Sequence, residues 1–473
     1  MKHIVKNARA VSLAEVLEAR ERRSDLQKKL LATYNSTLVS YTMNIAGPTK
    51  NSPLIERAFF SGLTELASML GKDKIIFEYS LSEPQGCAAF IAVNMNADTV
   101  KNICVNIEES SRLGRLFDMD VIDTNGNKLE RKRPRACIVC GKIGRECAAG
   151  RLHPVEKIVA ITADIITGHF ALIDSRQLGL LAVESLIEEV ETTPKPGLVD
   201  LRNNGSHRDM DVNTFRDSAR SLTPYFVECV EIGINTKNST PPKTFNQLRS
   251  IGIEAEKTMY KTTGGVNTHK GVIYSMGVLL GAIGRNWTPS APISDISTIT
   301  REATLMVKES VLTDLKSASG ATAGERLFIE HAVKGIRGEA ESGFSSVTTT
   351  SLPAYENALK KGLSPNDAGV YSLLKLISTI DDTNIYHRGG SDGAIFAKGY
   401  AAMMLLGEFD IRSIEEMDDR FIERNLSPGG AADLLAITYF LYKVKNFKLK
   451  SSFSASSHKD VYQIVGTGVL DGP

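Results

Sequence analysis

Beyond about residue 175 the alternation of β-branched and polar residues that runs through the first part of the chain all but stops, and one helical pattern follows another. That break constrains the fold more than any other feature. Strands need a side-chain period of two and helices one of 3.6, so the first part can build a sheet and the second cannot. A chain of 473 residues is also too long for one ordinary core. The expectation is two domains: an α/β domain over residues 1–172, a mixed sheet with helices, and an all-α helical domain over 173–473, with the boundary near 169–177.

Within the first part, Leu13, Val16, Leu17, Leu26 and Leu30 form an apolar stripe that predicts a helix over 12–31. Further helices are predicted over 52–70, 99–110 and 154–167, and strands over 37–44, 75–81, 88–93 and 115–123, with a turn at Ser82-Glu83-Pro84-Gln85-Gly86. The second part predicts helices over 178–191, 212–232, 248–260, 272–283, 299–311, 325–334, 352–361, 365–379, 394–406 and 429–444. A formal net charge of +1 gives no general attraction to nucleic acid or an anionic membrane. The apolar runs 278–283 and 401–406 are too short to span a bilayer, and the start Met1-Lys2-His3-Ile4-Val5-Lys6 lacks a signal-peptide core. Six cysteines, three of them clustered, do not make a disulfide scaffold; the reading is a reducing cytoplasm, with the cluster binding metal or staying free.

In the strand Gly114-Arg115-Leu116-Phe117-Asp118-Met119-Asp120-Val121, Asp118 and Asp120 point to one face while Phe117, Met119 and Val121 pack on the other. Such a pair can grip Mg²⁺ whose remaining ligands are waters and phosphate oxygens, a geometry that serves nucleotidyl and phosphoryl transfer; the plain alternative is a solvated strand face. Downstream, Cys137-x2-Cys140-Gly141 makes a good half of a zinc knuckle that Cys147 and His153 can complete, the alternative being buried or free thiols beside an arginine cluster. Arg133, Arg135 and Arg151 suit an anionic substrate, whereas Arg131 and Lys132 fit a solvated turn at least as well.

Four polar loops of the second part share Gly, Asp, His and Lys or Arg. The first, over 194–211, holds Pro194-Lys195-Pro196-Gly197-Leu198-Val199-Asp200, His207, Asp209 and Asp211. The second, Thr263-Gly264-Gly265-Val266-Asn267-Thr268-His269-Lys270-Gly271, opens a helix and offers backbone N–H groups and Lys270 to phosphate without being a Walker loop. The third is Gly335-Ile336-Arg337-Gly338-Glu339-Ala340. The fourth joins Asp381-Asp382-Thr383-Asn384, His387-Arg388-Gly389-Gly390 and Ser427-Pro428-Gly429-Gly430-Ala431-Ala432-Asp433. The acid pairs Asp209/Asp211 and Asp381/Asp382 point to Mg²⁺ around a polyphosphate. Helix capping is the competing role, and Asp209 and Ser427 are well placed for it.

These loops resemble the signature of triphosphoribosyl-dephospho-CoA synthases over about 178–446. Over about 10–170, Gly114–Val121, Arg135-x-Cys137-x2-Cys140, Cys147, Arg151 and His153 resemble apo-citrate lyase phosphoribosyl-dephospho-CoA transferases, or holo-citrate lyase synthases. The chain looks like a bifunctional fusion of the two. The resemblance implies a nucleotidyltransferase-like first domain and a two-step pathway. The second domain would join ATP to dephospho-CoA and expel adenine. The first would transfer the phosphoribosyl-dephospho-CoA unit to a serine of the citrate lyase acyl carrier protein, its γ-subunit, and release pyrophosphate. It assigns Mg²⁺ to Asp118, Asp120, Asp209, Asp211, Asp381 and Asp382, and charge stabilisation in the first domain to Arg115, Arg135 and Arg151. Nucleotide and phosphate contacts fall to Lys195, Gly197, Gly264, Gly265, Asn267, Lys270 and Arg337. Proton transfer in the second domain is open to His269, Glu339 or Asp433, and His153 is either a general base or a zinc ligand. Three other readings stand beside this one: the equivalent pathway of malonate decarboxylase, an all-α Mg²⁺-dependent N-glycoside hydrolase fused to a nucleotidyltransferase, and a zinc-bearing regulatory module on an enzyme domain.

Overall fold

The computed structural model describes residues 8–316, 328–329 and 333–447. Two compact units divide between Ala171 and Leu172. In the first, α1 (Leu13–Tyr34) starts with a capping box, in which the Ser12 hydroxyl accepts from the Glu15 amide and the Glu15 carboxylate accepts from the Ser12 amide. Then come β1 (Thr37–Met43), α2 (Pro53–Leu70), β2 (Ile75–Glu83), β3 (Gly86–Val93), α3 (Ala97–Ser110) and β4 (Phe117–Ile122). The sheet order is β2-β3-β1-β4, and every adjacent pair is antiparallel. This corrects the expected mixed sheet. The crossover through α2 does send β2 in the direction of β1. The tight turn at Pro84-Gln85 then folds β3 back between them, so no parallel neighbours remain.

One face of the sheet carries Tyr41, Met119 and Val121, all buried, with Tyr41 stacked on Phe59 of α2 at 4.6 Å. Each such side chain contributes about 1.5–3 kcal/mol by burial. On the other face Leu30 of α1 packs with Leu38, Phe90 and Ile122. The stripe expected on α1 is only half used, since Leu13 is 74% exposed and Leu17 48%. A 22-residue helix, about 33 Å long, overruns a seven-residue strand of about 23 Å. The strand expected from 115 begins at Phe117, after a 3₁₀ turn over Gly114–Leu116. A short helix not foreseen, α4 (Gly144–Ala149), leads to α5 (Val155–Glu191).

The helices expected over 154–167 and 178–191 are one, because the intervening stretch has no proline and a single glycine, Gly168. By length and composition α5 is apolar enough to cross a bilayer, contrary to the reading of short apolar runs. Ile166, Phe170, Leu178, Ala182 and Leu186 of this helix are buried, and 39% of its most apolar window is.

Among the described residues of the second unit the regular elements, apart from an isolated bridge between Thr288 and Ala291, are helices. The helix expected over 212–232 is split into α6 (Val212–Ser221) and α7 (Thr223–Thr236), because Pro224 cannot donate within a continuous helix. There follow α8 (Pro241–Thr262), α9 (Lys270–Asn286), α10 (Ile296–Lys316), α11 (Gly335–Glu341), α12 (Leu352–Lys360), α13 (Pro365–Thr379), α14 (Thr383–Met404), α15 (Ile411–Glu423) and α16 (Gly429–Lys445). The third loop is therefore helical in α11, and much of the fourth lies on α14, which bends at Gly390. Helix α15 was not foreseen, and the helix expected over 325–334 falls largely outside the described residues. Helix α9 is the core of the unit, buried from Val272 almost without interruption to Gly284. It crosses α7 at glycines: a Cβ on Gly284 would stand 2.2 Å from the Val230 carbonyl oxygen. That close crossing lies near the C-terminal end of α9; the polar loops meet at its other end.

Candidate active site

The loops and helix ends of the second unit surround one cavity of about 1120 Å³, at the upper end of small-molecule sites. Its floor is acidic. Asp433, one turn into α16, sets its carboxylate on the backbone of Gly271 in the first turn of α9. A Cβ at position 271 would stand 2.0 Å from Asp433 Oδ2, so any side chain there would displace the carboxylate. Burial, and then the charges of Glu189 and Asp382, push the Asp433 carboxyl well above the usual carboxylate range. Such a group stays protonated and can give a proton. Glu189 is itself buried, and the Lys195 ammonium donates to its carboxylate at 2.5 Å and to its carbonyl at 2.7 Å.

His269 lines the same cavity and is 3% exposed. Its Nδ1 lies 2.8 Å from the Ser218 hydroxyl, and its Nε2 is buried with no hydrogen-bond partner among the described residues. Burial, helped by the Lys195 charge, lowers its pKa to about 3, so the ring is neutral. Glu339 on α11 accepts from the Ser346 hydroxyl at 2.6 Å and from the Ser346 amide at 3.2 Å, which holds its carboxylate at the cavity.

The four candidate metal-binding acids separate. Asp209 and Asp381 line the cavity with exposed carboxylates; Asp209 stands 3.9 Å from His207 and Asp381 2.6 Å from the Lys398 ammonium. Asp211 is the N-cap of α6, accepting from Thr214, and is not among the cavity-lining residues. The cap expected at Asp209 is thus two residues later. Asp382 also lines the cavity but is 3% exposed; it accepts from Asn384 and Ile385 at the start of α14 and from Ala431 at the start of α16. One carboxylate therefore satisfies two helix N-termini. Ser427, expected to cap α16, instead pairs with His207 Nε2 at 2.9 Å.

Of the phosphate candidates, Asn267 and Lys270 line the cavity, and Lys270 pairs with Glu256 at 3.0 Å. Lys195 lines it too, but its ammonium is committed to Glu189. Gly197 gives its N–H to the buried Asp418, and Gly265 gives its own to Tyr260. Gly264, Gly265 and the exposed Arg337 are not among the lining residues. Lys308, Lys334 and Arg388 do line it and were not chosen from the sequence. Lys308 and Lys334 lie in ordinary helical or charged context, whereas Arg388 stood in the fourth loop, beside a glycine pair. Asp418 was missed too: fully buried on α15, it accepts from Gly197, Arg202 and Asn203 and so shapes the 194–211 loop.

In the first unit Asp118 and Asp120 do share one face of β4, opposite Thr42 and Ser40 of β1, while Phe117, Met119 and Val121 are buried. Arg135 lies 3.3 Å from Asp118, donates to the Phe117 carbonyl at 2.7 Å and pairs with Glu108. Lys128 pairs with Asp120 at 2.6 Å. Burial, and then the Asp120 charge, raise the Asp118 pKa, while Arg135 opposes them. Arg115 donates to the Ala136 carbonyl at 2.5 Å, and Arg151 is exposed in the turn between Cys147 and His153. Arg131, read as a solvated turn residue, is only 14% exposed and pairs with Glu108 and Glu109, both at 3.1 Å. Glu108, 2% exposed on α3, ties these arginines to the Met119 amide; no sequence signal marked it.

The comparisons with known proteins follow the same division. Residues 175–451 match the family described as ATP:dephospho-CoA triphosphoribosyl transferase, and residues 11–169 match apo-citrate lyase phosphoribosyl-dephospho-CoA transferase. "Protein CitXG" of Haemophilus influenzae is 35% identical over 452 residues, covering 91% of this chain and 96% of that protein. Its namesake from Leuconostoc mesenteroides subsp. cremoris is 34% identical over 469 residues, covering 92% and 97%. The 2-(5''-triphosphoribosyl)-3'-dephosphocoenzyme-A synthase of Pectobacterium atrosepticum is 42% identical over 259 residues, which is 54% of this chain and 86% of that enzyme. The chain therefore belongs to the family of fused transferases that carry an apo-citrate lyase phosphoribosyl-dephospho-CoA transferase part followed by an ATP:dephospho-CoA triphosphoribosyl transferase part.

Proposed function

We propose that this bifunctional transferase builds and attaches the citrate lyase prosthetic group. In residues 172–447, C1 of the ATP ribose is joined to the 2′-hydroxyl of dephospho-CoA; the bond from C1 to adenine breaks and the triphosphate is kept. In the first unit a serine of the citrate lyase acyl carrier protein, the γ-subunit, attacks the phosphorus next to the ribose, and pyrophosphate leaves. A nucleotidyltransferase-like first domain and an all-α second domain are part of this reading, as is a cytoplasmic location, which six free cysteines support. The family description naming citrate lyase favours this carrier over that of malonate decarboxylase.

The observation that carries the first step is the Asp433 carboxyl seated on Gly271 inside a cavity that also holds Lys270, Lys308, Lys334 and Arg388. Protonated Asp433 gives its proton to departing adenine, and its charge then stabilises the oxocarbenium-like centre. Glu339 receives the proton of the attacking hydroxyl. Neutral His269 offers Nε2 to a substrate group, and the Lys195–Glu189 pair keeps that floor charged but dry. The four cations hold the triphosphate. Asp209 and Asp381 in this cavity, and Asp118 and Asp120 on β4, are hard oxygen donors that fit Mg²⁺, which when bound neutralises phosphate charge. In the second step Arg115, Arg135 and Arg151 stabilise the charge on leaving pyrophosphate.

Mass spectrometry of apo-carrier incubated with the enzyme, ATP, dephospho-CoA and Mg²⁺ tests the proposal. The expected result is a gain equal to one phosphoribosyl-dephospho-CoA unit, with one adenine released. No gain overturns the citrate lyase reading. Adenine released equally well without dephospho-CoA points instead to an N-glycoside hydrolase.

A further inference from the structure

The segment over 131–154 in the first unit contains only one buried residue, Cys147. A stretch with so little apolar burial cannot hold its shape by packing, and small folds of this kind are held by cross-links or metals. Its backbone is nonetheless tightly folded. The Cys137 amide donates to the Lys142 carbonyl at 2.6 Å, Gly141 turns back with positive φ so that its amide donates to the Cys137 carbonyl at 2.9 Å, and Ala136 bridges to Ile143. Helix α4 then presents Cys147, and Arg151, with φ of 46°, swings the chain back so that His153 returns to the same place.

These turns gather one ligand atom each from Cys137, Cys140, Cys147 and His153, all within 4.8 Å of one another. Cys140 Sγ and Cys147 Sγ stand 3.5 Å apart. That is far beyond the roughly 2.05 Å of a disulfide. It is close to the roughly 3.8 Å edge of a tetrahedron of thiolates at about 2.3 Å from zinc. His153 Nε2 is buried with no hydrogen-bond partner among the described residues, a desolvation cost that a metal bond removes. The Val139 amide donates to Cys137 Sγ at 3.4 Å, the kind of outer contact that orients a ligand.

We propose that Cys137, Cys140, Cys147 and His153 form a closed, structural zinc site. Three thiolates and one imidazole leave no open position, so the ion does no chemistry on substrate. Its task is positional, and this clause rests on the function proposed above. The knuckle carries Arg135, which reaches Asp118 and the Phe117 carbonyl, and Ala136, whose carbonyl holds Arg115. The zinc thus sets the two arginines against the Asp118/Asp120 face. His153, as a ligand, is unavailable as a general base.

Elemental analysis of the purified full chain is the primary test, with one zinc per chain expected. Replacing it with Co²⁺ should give intense tetrahedral bands and thiolate-to-cobalt charge transfer. In C140S and C147S, zinc should fall at least tenfold and carrier labelling should be lost, while adenine release in the other unit persists and an unchanged strand signal in circular dichroism shows that the sheet of the first unit is folded. Wild-type protein that binds less than about a tenth of an ion after zinc supplementation, with its thiols freely titratable, overturns the site. So does a Cys140–Cys147 disulfide, seen as a loss of two hydrogens in mass. If zinc binds as proposed but its removal leaves carrier labelling unchanged, the positional role falls and the metal site stands.

Discussion

The cavity of the second unit turns on a few side chains whose charge is set by their surroundings. Asp433 is held protonated by burial and by two neighbouring carboxylates, and its carboxylate lies close against Gly271. D433N should lower kcat for adenine release by about 10²–10⁴, the range of general acid catalysis, with little change in KM for ATP. In the unsubstituted enzyme this activity should be full below the raised pKa of Asp433 and be lost as pH rises through it. A D433N enzyme with unchanged kcat and pH profile refutes the acid role. His269 shifts the other way. Its pKa is lowered to about 3, so between pH 6.5 and 3 the unfolded chain takes up a proton that the folded chain refuses. The corresponding stability is present above pH 6.5 and lost as pH falls toward 3. The His269 ring resonances should therefore stay in the neutral form from pH 8 to 5 in a histidine-labelled NMR titration; a midpoint near 6.5 contradicts the burial argument.

At the scale of elements, the acid pairs divide between capping and cavity. Asp211 starts α6, and D211A should cost about 1 kcal/mol of stability, the usual worth of a cap, while adenine release is retained. D209N, by contrast, should raise the Mg²⁺ concentration needed for half-maximal adenine release severalfold. Equal kinetic damage from both would return Asp211 to the metal site. Asp382 joins the N-termini of α14 and α16, so D382A removes caps from two helices at once and should cost about 2 kcal/mol, read as a lowered calorimetric transition. The alternation that put Asp118 and Asp120 on one face was legible because a strand's period is two and its other face is apolar. The splitting of 212–232 was missed, although Pro224, which cannot donate within a helix, was its signal. Helix α11 was not legible, because a glycine-rich run such as Gly335-Ile336-Arg337-Gly338 reads as a loop until neighbouring helices hold it.

At the scale of the whole molecule, two sets of carboxylates lie in two separate units, and each can be removed alone. D118N should abolish carrier labelling and leave adenine release within about twofold; loss of both activities would mean damage to the fold rather than to the Asp118 site. The sequence by itself determined that a sheet-bearing part precedes a helical one, that Asp118 and Asp120 share a face, and that the segments around Lys195, His269, Glu339 and Asp433, which line one cavity, are unusually rich in polar and glycine residues. These follow from periodicity and from long ordered motifs, which are local properties. Only the tertiary structure decided which polar groups face the cavity and which are consumed by the fold. Lys195 is paired with Glu189, Gly197 has given its N–H to Asp418, and Asp211 is a cap. Lys308, Lys334 and Arg388 take up the cationic lining. For Gly197 the physical reason is a partner 221 residues away, which no local pattern records. Lys195 and Asp211 meet partners close in sequence, but whether each is spent on that neighbour or left to face the cavity depends on burial, which only the packing sets.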